Sequence, residues 1–225
     1  MAAILRRHDL LRVKPTAWLE MLWRHPGIAD LPLVADWALR AWPVMVRRRQ
    51  GSDGADSITA ALPLPPMHGK LRVAFSFPSH ADVAPLPPVL LRDAAQSAPA
   101  AWGSTVSALL DLGESIGSPP RVFGALLWEH ATGLPYLTSQ SDLDLLWSAP
   151  DAPAAASLLA GLRRLDIGSP VRLDGELELP DGGGVNWREI SSESGAFNGE
   201  ALVKTMNGVE MRKVAALFCA NGVAA

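Results

Sequence analysis

The sequence has little cysteine, no long apolar run and no excess of positive charge, and each shortage excludes a class of protein. Cys219 is the single cysteine in 225 residues, so the chain has no internal disulfide framework and we expect a reducing compartment, the cytoplasm. No window reaches the roughly 18 apolar residues of a membrane helix. The charges from Arg6 to Asp9 are not typical of a signal peptide. A formal net charge of −3 gives no indication of nucleic-acid binding.

Several catalytic motifs are missing as well. Ser104, Ser107 and Ser141 lie in no G-x-S-x-G turn, which argues against a serine hydrolase. The glycines at 182–184 do not form a G-x-x-x-x-G-K-[ST] phosphate loop. The pair His8-Asp9 has no second histidine or carboxylate cluster at ligand spacing, so we interpret it as a capping or surface pair.

Composition and length indicate a folded protein of one large domain or two small ones. The chain is 48% hydrophobic and 19% charged, which is typical of a globular protein with a sizeable core. We predict an α+β fold with these parts: a small N-terminal α+β domain (1–80), a proline-rich linker (81–98), a mixed sheet with helices on one face (99–218) and a flexible tail (219–225).

Hydrophobic periodicity places the main elements within these parts. It predicts helices over residues 17–24, 33–41, 102–116 and 153–165. It predicts strands over residues 43–49, 58–62, 71–77, 171–179 and 184–190. Asn207-Gly208 is a strong hairpin signal between two further short strands.

The strongest chemical signal lies between Arg121 and Leu146. A short apolar strand with Gly124 is followed by a helical run, and a glycine at such a turn lets backbone N–H groups approach phosphate. Further on stand Asp142 and Asp144, which share one face of a strand because alternate side chains point the same way. Two adjacent carboxylates repel one another, and Mg²⁺ commonly uses one or two carboxylates together with substrate phosphates.

Further carboxylates lie in the alternating segment Val171–Leu179. Arg172, Asp174, Glu176 and Glu178 fall on one face of this predicted strand. Glu178 is equally compatible with a solvent-exposed strand edge and with a role in the active site. The run Arg172-Leu173-Asp174 resembles the strand that carries the third acid of nucleotidyltransferases. That resemblance implies Asp174 as the third acid, with Glu176 as the alternative.

In this order the segments resemble the nucleotidyltransferase pattern of strand, Gly-Ser turn, helix and then Asp-x-Asp. The chain departs from that pattern at two places. Ala125 stands where a serine or glycine is usual, which removes a hydroxyl contact to phosphate. The insert at 132–140 lengthens the connection to Asp142.

A narrower resemblance covers most of the chain. The blocks that carry it, in order, are RRHDLLRV, WPVMVRRR, LPLPPMHGKLRVAF, RVFGALLWEHATGLPYLTSQSDLDLL, PVRLDGELELPDGGGVNWREI and ALVKTMNGVEMRK. This set resembles the phosphoribosyl-dephospho-CoA transferase of malonate decarboxylase, also called its holo-acyl-carrier-protein synthase. The resemblance implies a nucleotidyltransferase that moves 2′-(5″-triphosphoribosyl)-3′-dephospho-CoA onto a serine of the acyl-carrier subunit and releases pyrophosphate.

The resemblance also implies the cofactor and the site residues. Asp142, Asp144 and Asp174 are expected to be catalytic and to bind Mg²⁺, or Mn²⁺ in its place, in a two-metal arrangement. The candidate substrate-binding residues in the catalytic domain are Gly124, Ala125, Ser141, Glu176 and Lys204.

Positive charge for an anionic donor is expected near the N-terminus. The run Arg47-Arg48-Arg49 is the densest basic segment, and arginine grips phosphate in two places at once. Assuming strand alternation, we predict that Arg47 and Arg49 face the donor, and that Lys70 and Arg72 add charge to the same cleft. A solubilising edge is the alternative interpretation.

Two other functions remain compatible with the sequence. One is a different nucleotidyltransferase, for example one that moves AMP from ATP to a protein or a small alcohol. The other is a non-catalytic binding module of the same fold, which Ala125 favours weakly and the three intact acids oppose.

Overall fold

The computed structural model describes residues 4–149, 151–190 and 199–218. The chain forms two compact units. The N-terminal unit comprises Met1–Pro88 and Ala131–Tyr136, and the C-terminal unit comprises Val89–His130 and Leu137–Ala225. The predicted tail, with Cys219, lies outside the described residues. Among the described residues, no helix is long and apolar enough to cross a membrane.

The N-terminal unit is built on an antiparallel sheet of order β4-β3-β2-β1-β5. Its strands are β1 (Leu10–Val13), β2 (Val44–Val46), β3 (Ile58–Pro63), β4 (Arg72–Phe77) and β5 (Val83–Leu86). Two helices follow the first strand, α1 (Pro15–Arg24) and α2 (Pro26–Ala29).

Aromatic side chains form the core of this unit. The buried Trp18 of α1 packs edge-on against Phe75, with ring centroids 5.3 Å apart. Its indole N–H donates to the carbonyl of Val34 at 2.8 Å. That segment was predicted to be a helix over 33–41, but it is a series of turns in which Leu33 and Ala41 have positive φ angles. Side chains strongly disfavour that conformation within a helix.

The strand β5 lies inside the segment predicted as a proline-rich linker, and so does the short helix α3 (Leu91–Ala94). Pro85 pairs with Leu11 of β1 in the sheet register. A proline is tolerated there because β5 is an edge strand, where one N–H need not join the ladder. Because of these prolines, sequence periodicity did not predict the strand β5.

The C-terminal unit contains a mixed sheet of order β11-β10-β9-β8-β7-β6. Its strands are β6 (Arg121–Val122), β7 (Leu143–Ser148), β8 (Leu173–Glu178), β9 (Gly184–Asn186), β10 (Glu200–Lys204) and β11 (Val209–Lys213). Besides α3, its helices are α4 (Gly103–Ser115), α5 (Gly124–Thr132), α6 (Ala152–Gly168) and α7 (Trp187–Ile190). The two sheets with their helices confirm the predicted α+β class.

The parallel pair β7–β8 is connected by α6, since a parallel connection needs a long crossover. Leu143, Leu145 and Trp147 of β7 are buried, and alternation puts Asp144 on the other face. Gly175 of β8 has a φ of 144°, and a Cβ there would lie 1.9 Å from the Leu145 carbonyl oxygen. Only glycine allows the two backbones to approach so closely.

The insert at 132–140 does more than lengthen a loop. Its first part belongs to the N-terminal unit. Tyr136 is 5% exposed, and its hydroxyl donates to the carbonyl of Pro63 at 2.9 Å. Burial raises the pKa of the Tyr136 phenol.

A buried ion pair fixes the loop between β2 and β3. The Arg47 guanidinium donates to both carboxylate oxygens of Asp53, at 2.7 and 2.6 Å, and the Asp53 side chain is 6% exposed. The same guanidinium donates to the carbonyls of Ala60 and Phe75. The hydrogen bond from Arg47 holds the pKa of the Asp53 carboxyl below its ordinary value of 3.8.

We predict that Asp53→Asn lowers the free energy of unfolding by about 1.5–3 kcal/mol at neutral pH, because it leaves Arg47 without its charged partner. The folded-state pKa of Asp53 is depressed, so its stabilising contribution is present above pH 3.8 and is lost as the pH falls through the folded-state pKa. Urea unfolding of the parent and the variant between pH 7 and pH 3 measures this. The exposed Asp56→Asn is the matched control, and an equal loss in both variants would contradict the prediction.

Candidate functional site

The acidic residues predicted to act together meet at two neighbouring strands. Asp144 of β7 and Asp174 of β8 are partners in the parallel register, so their side chains lie beside one another on the same face. Asp142 immediately precedes β7. The side chains of Asp142 and Asp174 are 32% and 24% exposed, so this acidic face is accessible to a ligand.

Gly124 makes room for the carboxylate of Asp144. It begins α5 with a φ of +64°, and a Cβ there would lie 1.9 Å from Asp144 Oδ2. The backbone N–H of Phe123 donates to the Asp144 carbonyl at 3.1 Å, which fixes the turn against β7. The strand-to-helix turn therefore lies directly against Asp144, the second acid of the Asp-x-Asp pair. Glycine is required at position 124 both for its positive φ angle and because there is no room for a Cβ.

Asp174 is held in place by two N–H donors on one oxygen. Its Oδ1 accepts from the backbone of Gly175 at 2.7 Å and from the side-chain amide of Asn186 at 2.8 Å. The amide oxygen of Asn186 accepts from the backbone of Arg188 and so caps α7. This cap ends β9 at Asn186, where the sequence had predicted a strand as far as Ile190.

Arg172 provides a cation between two of the acids. Its Nη1 lies 3.0 Å from Asp142 Oδ2 and 3.8 Å from Asp174 Oδ2. Arg172 directly precedes β8, as Asp142 precedes β7, so the parallel register puts the two residues opposite each other. The guanidinium thus occupies a position where two carboxylates favour positive charge.

The other acids of β8 have partners of their own. Glu176 is buried, and Lys204 Nζ lies 2.8 Å from its Oε1. Glu178 forms an ion pair with Arg121 and accepts a hydrogen bond from Ser148. Glu176 is in register with Leu146, not with an acid. Asp174 is therefore the acid of β8 that lies beside Asp144.

The remaining candidates of this unit are placed as follows. Ala125 is partly exposed in the first turn of α5. The Ser141 hydroxyl accepts from the backbone of Thr138 at 2.9 Å and so closes the turn before β7. Ser141 has a visible structural role, and its role in substrate binding stays a prediction.

The basic residues of the N-terminal unit have a different geometry from the one expected. Arg49 donates to the carbonyls of Gly54 and Ser57, and with Arg47 it holds its own loop. The strand ends at Val46, so the alternation that favoured Arg47 and Arg49 does not continue, and Arg48 is the exposed member of the run. Lys70 and Arg72 are exposed. A donor contact from these side chains stays a prediction.

The oxygen ligands of the acidic face are compatible with a divalent cation whose coordination shell is completed by substrate phosphates. Among the described residues, no group of three His, Cys, Asp or Glu side chains has the spacing of a metal site. Two carboxylates nevertheless converge on the Arg172 cation, and Asp144 is in register with one of them. Because Mg²⁺ commonly binds through one or two carboxylates plus substrate phosphates, these hard oxygen donors fit it.

Family models cover nearly all of the chain. The model of the phosphoribosyl-dephospho-CoA transferase MdcG N-terminal domain matches residues 6–88, and that of its C-terminal domain matches residues 90–215. The chain belongs to the phosphoribosyl-dephospho-CoA transferase family. As a member of this family it is a transferase, and its two matched segments meet where its two compact units divide.

Curated relatives of this transferase family extend over most of the chain. The phosphoribosyl-dephospho-CoA transferase of Bradyrhizobium diazoefficiens is 37% identical over 90% of this chain and 88% of its own. That of Xanthomonas campestris pv. campestris strain 8004 is 34% identical over 94% of this chain and 96% of its own. That of Xanthomonas euvesicatoria pv. vesicatoria is 36% identical over the same shares. No solved structure matches the chain.

Sequence reasoning missed two residues of the acidic face. Asn186 was assigned only to a strand. Counting outward in both directions from the Pro180–Gly183 turn places it opposite Glu176 and near Asp174. Arg172 was placed on the acidic face but given no role. Its spacing of two residues from Asp174 was the available signal, since alternate residues of a strand share a face.

We predict that Gly124→Ala lowers transferase activity about 10²-fold, because the new Cβ displaces the Asp144 carboxylate. Stability is expected to fall by only about 1–2 kcal/mol, the strain of a left-handed alanine. Steady-state kinetics and urea unfolding measure the two effects. Gly117→Ala is the matched control, since Gly117 has a φ of +66° and nothing within 4 Å of the added Cβ. Equal activity losses in both variants would show that strain alone is responsible.

Proposed function

We propose that this transferase joins the 2′-(5″-triphosphoribosyl)-3′-dephospho-CoA group to a serine of the malonate decarboxylase acyl-carrier subunit and releases pyrophosphate. The observation that carries the proposal is the alignment of Asp144 with Asp174 beside the Gly124 turn, in a chain of this family. The cytoplasm is the compartment we propose for the reaction.

The reaction is a displacement at the α-phosphorus of the donor. A bond forms between the serine Oγ and phosphorus while the bond from phosphorus to the pyrophosphate oxygen breaks. The hydroxyl proton is transferred to the Asp174 carboxylate. The N–H donors of Gly175 and Asn186 hold this carboxylate in a fixed orientation.

The other acids and the turn bind and orient the donor. Asp142, Asp144 and Asp174 would hold Mg²⁺, or Mn²⁺ in its place, and the ion would neutralise phosphate charge in the transfer. The N–H groups at the Gly124 turn face phosphate oxygens, as helix N-termini commonly do. Lys204, paired with the buried Glu176, contributes positive charge for the anionic donor.

The direct test is mass spectrometry of the isolated acyl-carrier subunit after incubation with enzyme, donor and Mg²⁺. We expect a mass increase equal to the phosphoribosyl-dephospho-CoA group, located on a serine. ATP is the competing donor, and an adenylyl adduct formed with ATP but none with the dephospho-CoA derivative would favour a different nucleotidyltransferase. The absence of any adduct with either donor would favour a binding module.

We predict that Asp144→Asn and Asp174→Asn each lower the transfer rate at least about 10²–10³-fold, since each removes a charge that acts on the reacting phosphate. Their unfolding free energies are expected to stay within about 1 kcal/mol of the parent, because both side chains are partly exposed. Asp111→Asn, at an exposed position of α4, is the matched control. Near-normal turnover in both site variants would refute the assignment.

A further inference from the structure

The position of Arg172 is set by the backbone, while its guanidinium remains accessible to water. The N–H of Leu143 donates to the Arg172 carbonyl at 2.9 Å, which ties the starts of β7 and β8 together. The Arg172 side chain is 57% exposed. Its two ion-pair partners, Asp142 and Asp174, belong to the acidic face described above.

Two other cations near the acids, Arg188 and Lys204, are held more firmly. Arg188 donates to the carbonyl of Leu173 at 2.7 Å as well as to Asp166, and its side chain is 32% exposed. Lys204 is 33% exposed and pairs with a carboxylate that is only 5% exposed. The guanidinium of Arg172 is more than half exposed, so solvent competes for it and its ion pairs are weak. A ligand therefore displaces Arg172 more easily than Arg188 or Lys204.

A divalent cation and the Arg172 guanidinium compete for the same oxygens. Nη1 lies 3.0 Å from Asp142 Oδ2 and 3.8 Å from Asp174 Oδ2, and these are two of the carboxylates to which the proposed function assigns the cation. A guanidinium released from them stays tethered at the start of β8, beside the donor phosphates that complete the cation's coordination. Its planar fork suits phosphate oxygens.

We propose that Arg172 is a donor-binding residue that serves as an internal cation before the donor arrives. It bridges Asp142 and Asp174 in the free enzyme and moves onto a phosphate of the donor when a divalent cation takes its place. The proposal rests on the proposed function and adds to it a specific residue and an exchange of partners.

The exchange predicts effects of opposite sign when Arg172 is removed. Without donor, Arg172→Ala removes a competitor, so Mn²⁺ binds about two- to fivefold more tightly, which is the effect of losing one exposed ion pair. At saturating Mn²⁺, the same variant binds the donor about ten- to hundredfold more weakly, because a charge-assisted phosphate contact is lost. A purely structural arginine would weaken both.

The experiment is calorimetric titration of the full-length protein with Mn²⁺, and then with the phosphoribosyl-dephospho-CoA donor without carrier subunit. Arg164→Ala is the matched control, since it removes the same charge at an exposed position of α6 and leaves the acidic face intact. Arg172→Lys keeps the charge without the fork, so its Mn²⁺ affinity is expected to match the parent and its donor affinity to lie between parent and Arg172→Ala.

The outcomes separate this inference from the proposed function. If Mn²⁺ affinity of Arg172→Ala does not exceed that of Arg164→Ala, or if donor affinity is unchanged, the exchange is refuted. Titration of Asp174→Asn tests the metal site itself. A loss of Mn²⁺ binding in Asp174→Asn leaves that site standing whatever Arg172 does, whereas unchanged binding refutes the site and the exchange together.

Discussion

The parallel pairing of β7 with β8 is the constraint on which the acidic face depends. It puts Asp144 beside Asp174 and, two residues earlier in each segment, Asp142 opposite Arg172. The pairing needs a long crossover, which α6 provides. It also needs glycine at 175, where a Cβ would collide with the backbone of β7. Gly175, which has no side chain, therefore decides whether the two strands come close enough for the acids to meet.

Concentrated negative charge is tolerated here because cations are interleaved with it. Arg172 lies between Asp142 and Asp174, and Lys204 neutralises the buried Glu176. Burying a carboxylate without such a partner would be strongly unfavourable. The pair with the buried Glu176 carboxylate is costly to break. The ion pairs of Arg172 are weaker, because its guanidinium is more than half exposed to solvent.

The N-terminal arginines show where an argument from strand alternation stops applying. The alternation of a strand would direct Arg47 and Arg49 to one face, but β2 ends before them. Beyond the strand, Arg47 turns onto Asp53 and two backbone carbonyls, and Arg49 onto two more. A guanidinium has five donors, and an irregular loop has unsatisfied carbonyls that attract them.

The sequence alone determined the α+β class, the strands that carry Asp144 and Asp174, and the family, because local alternation and block order are visible in the chain itself. It did not determine the strand hidden in Val83–Leu86, where prolines mask an edge position. Nor did it determine that Gly124 clears space for Asp144, or that Asn186 and Arg172 hold the acids. Those contacts join residues far apart in the chain, so only the register of the folded sheet decides them.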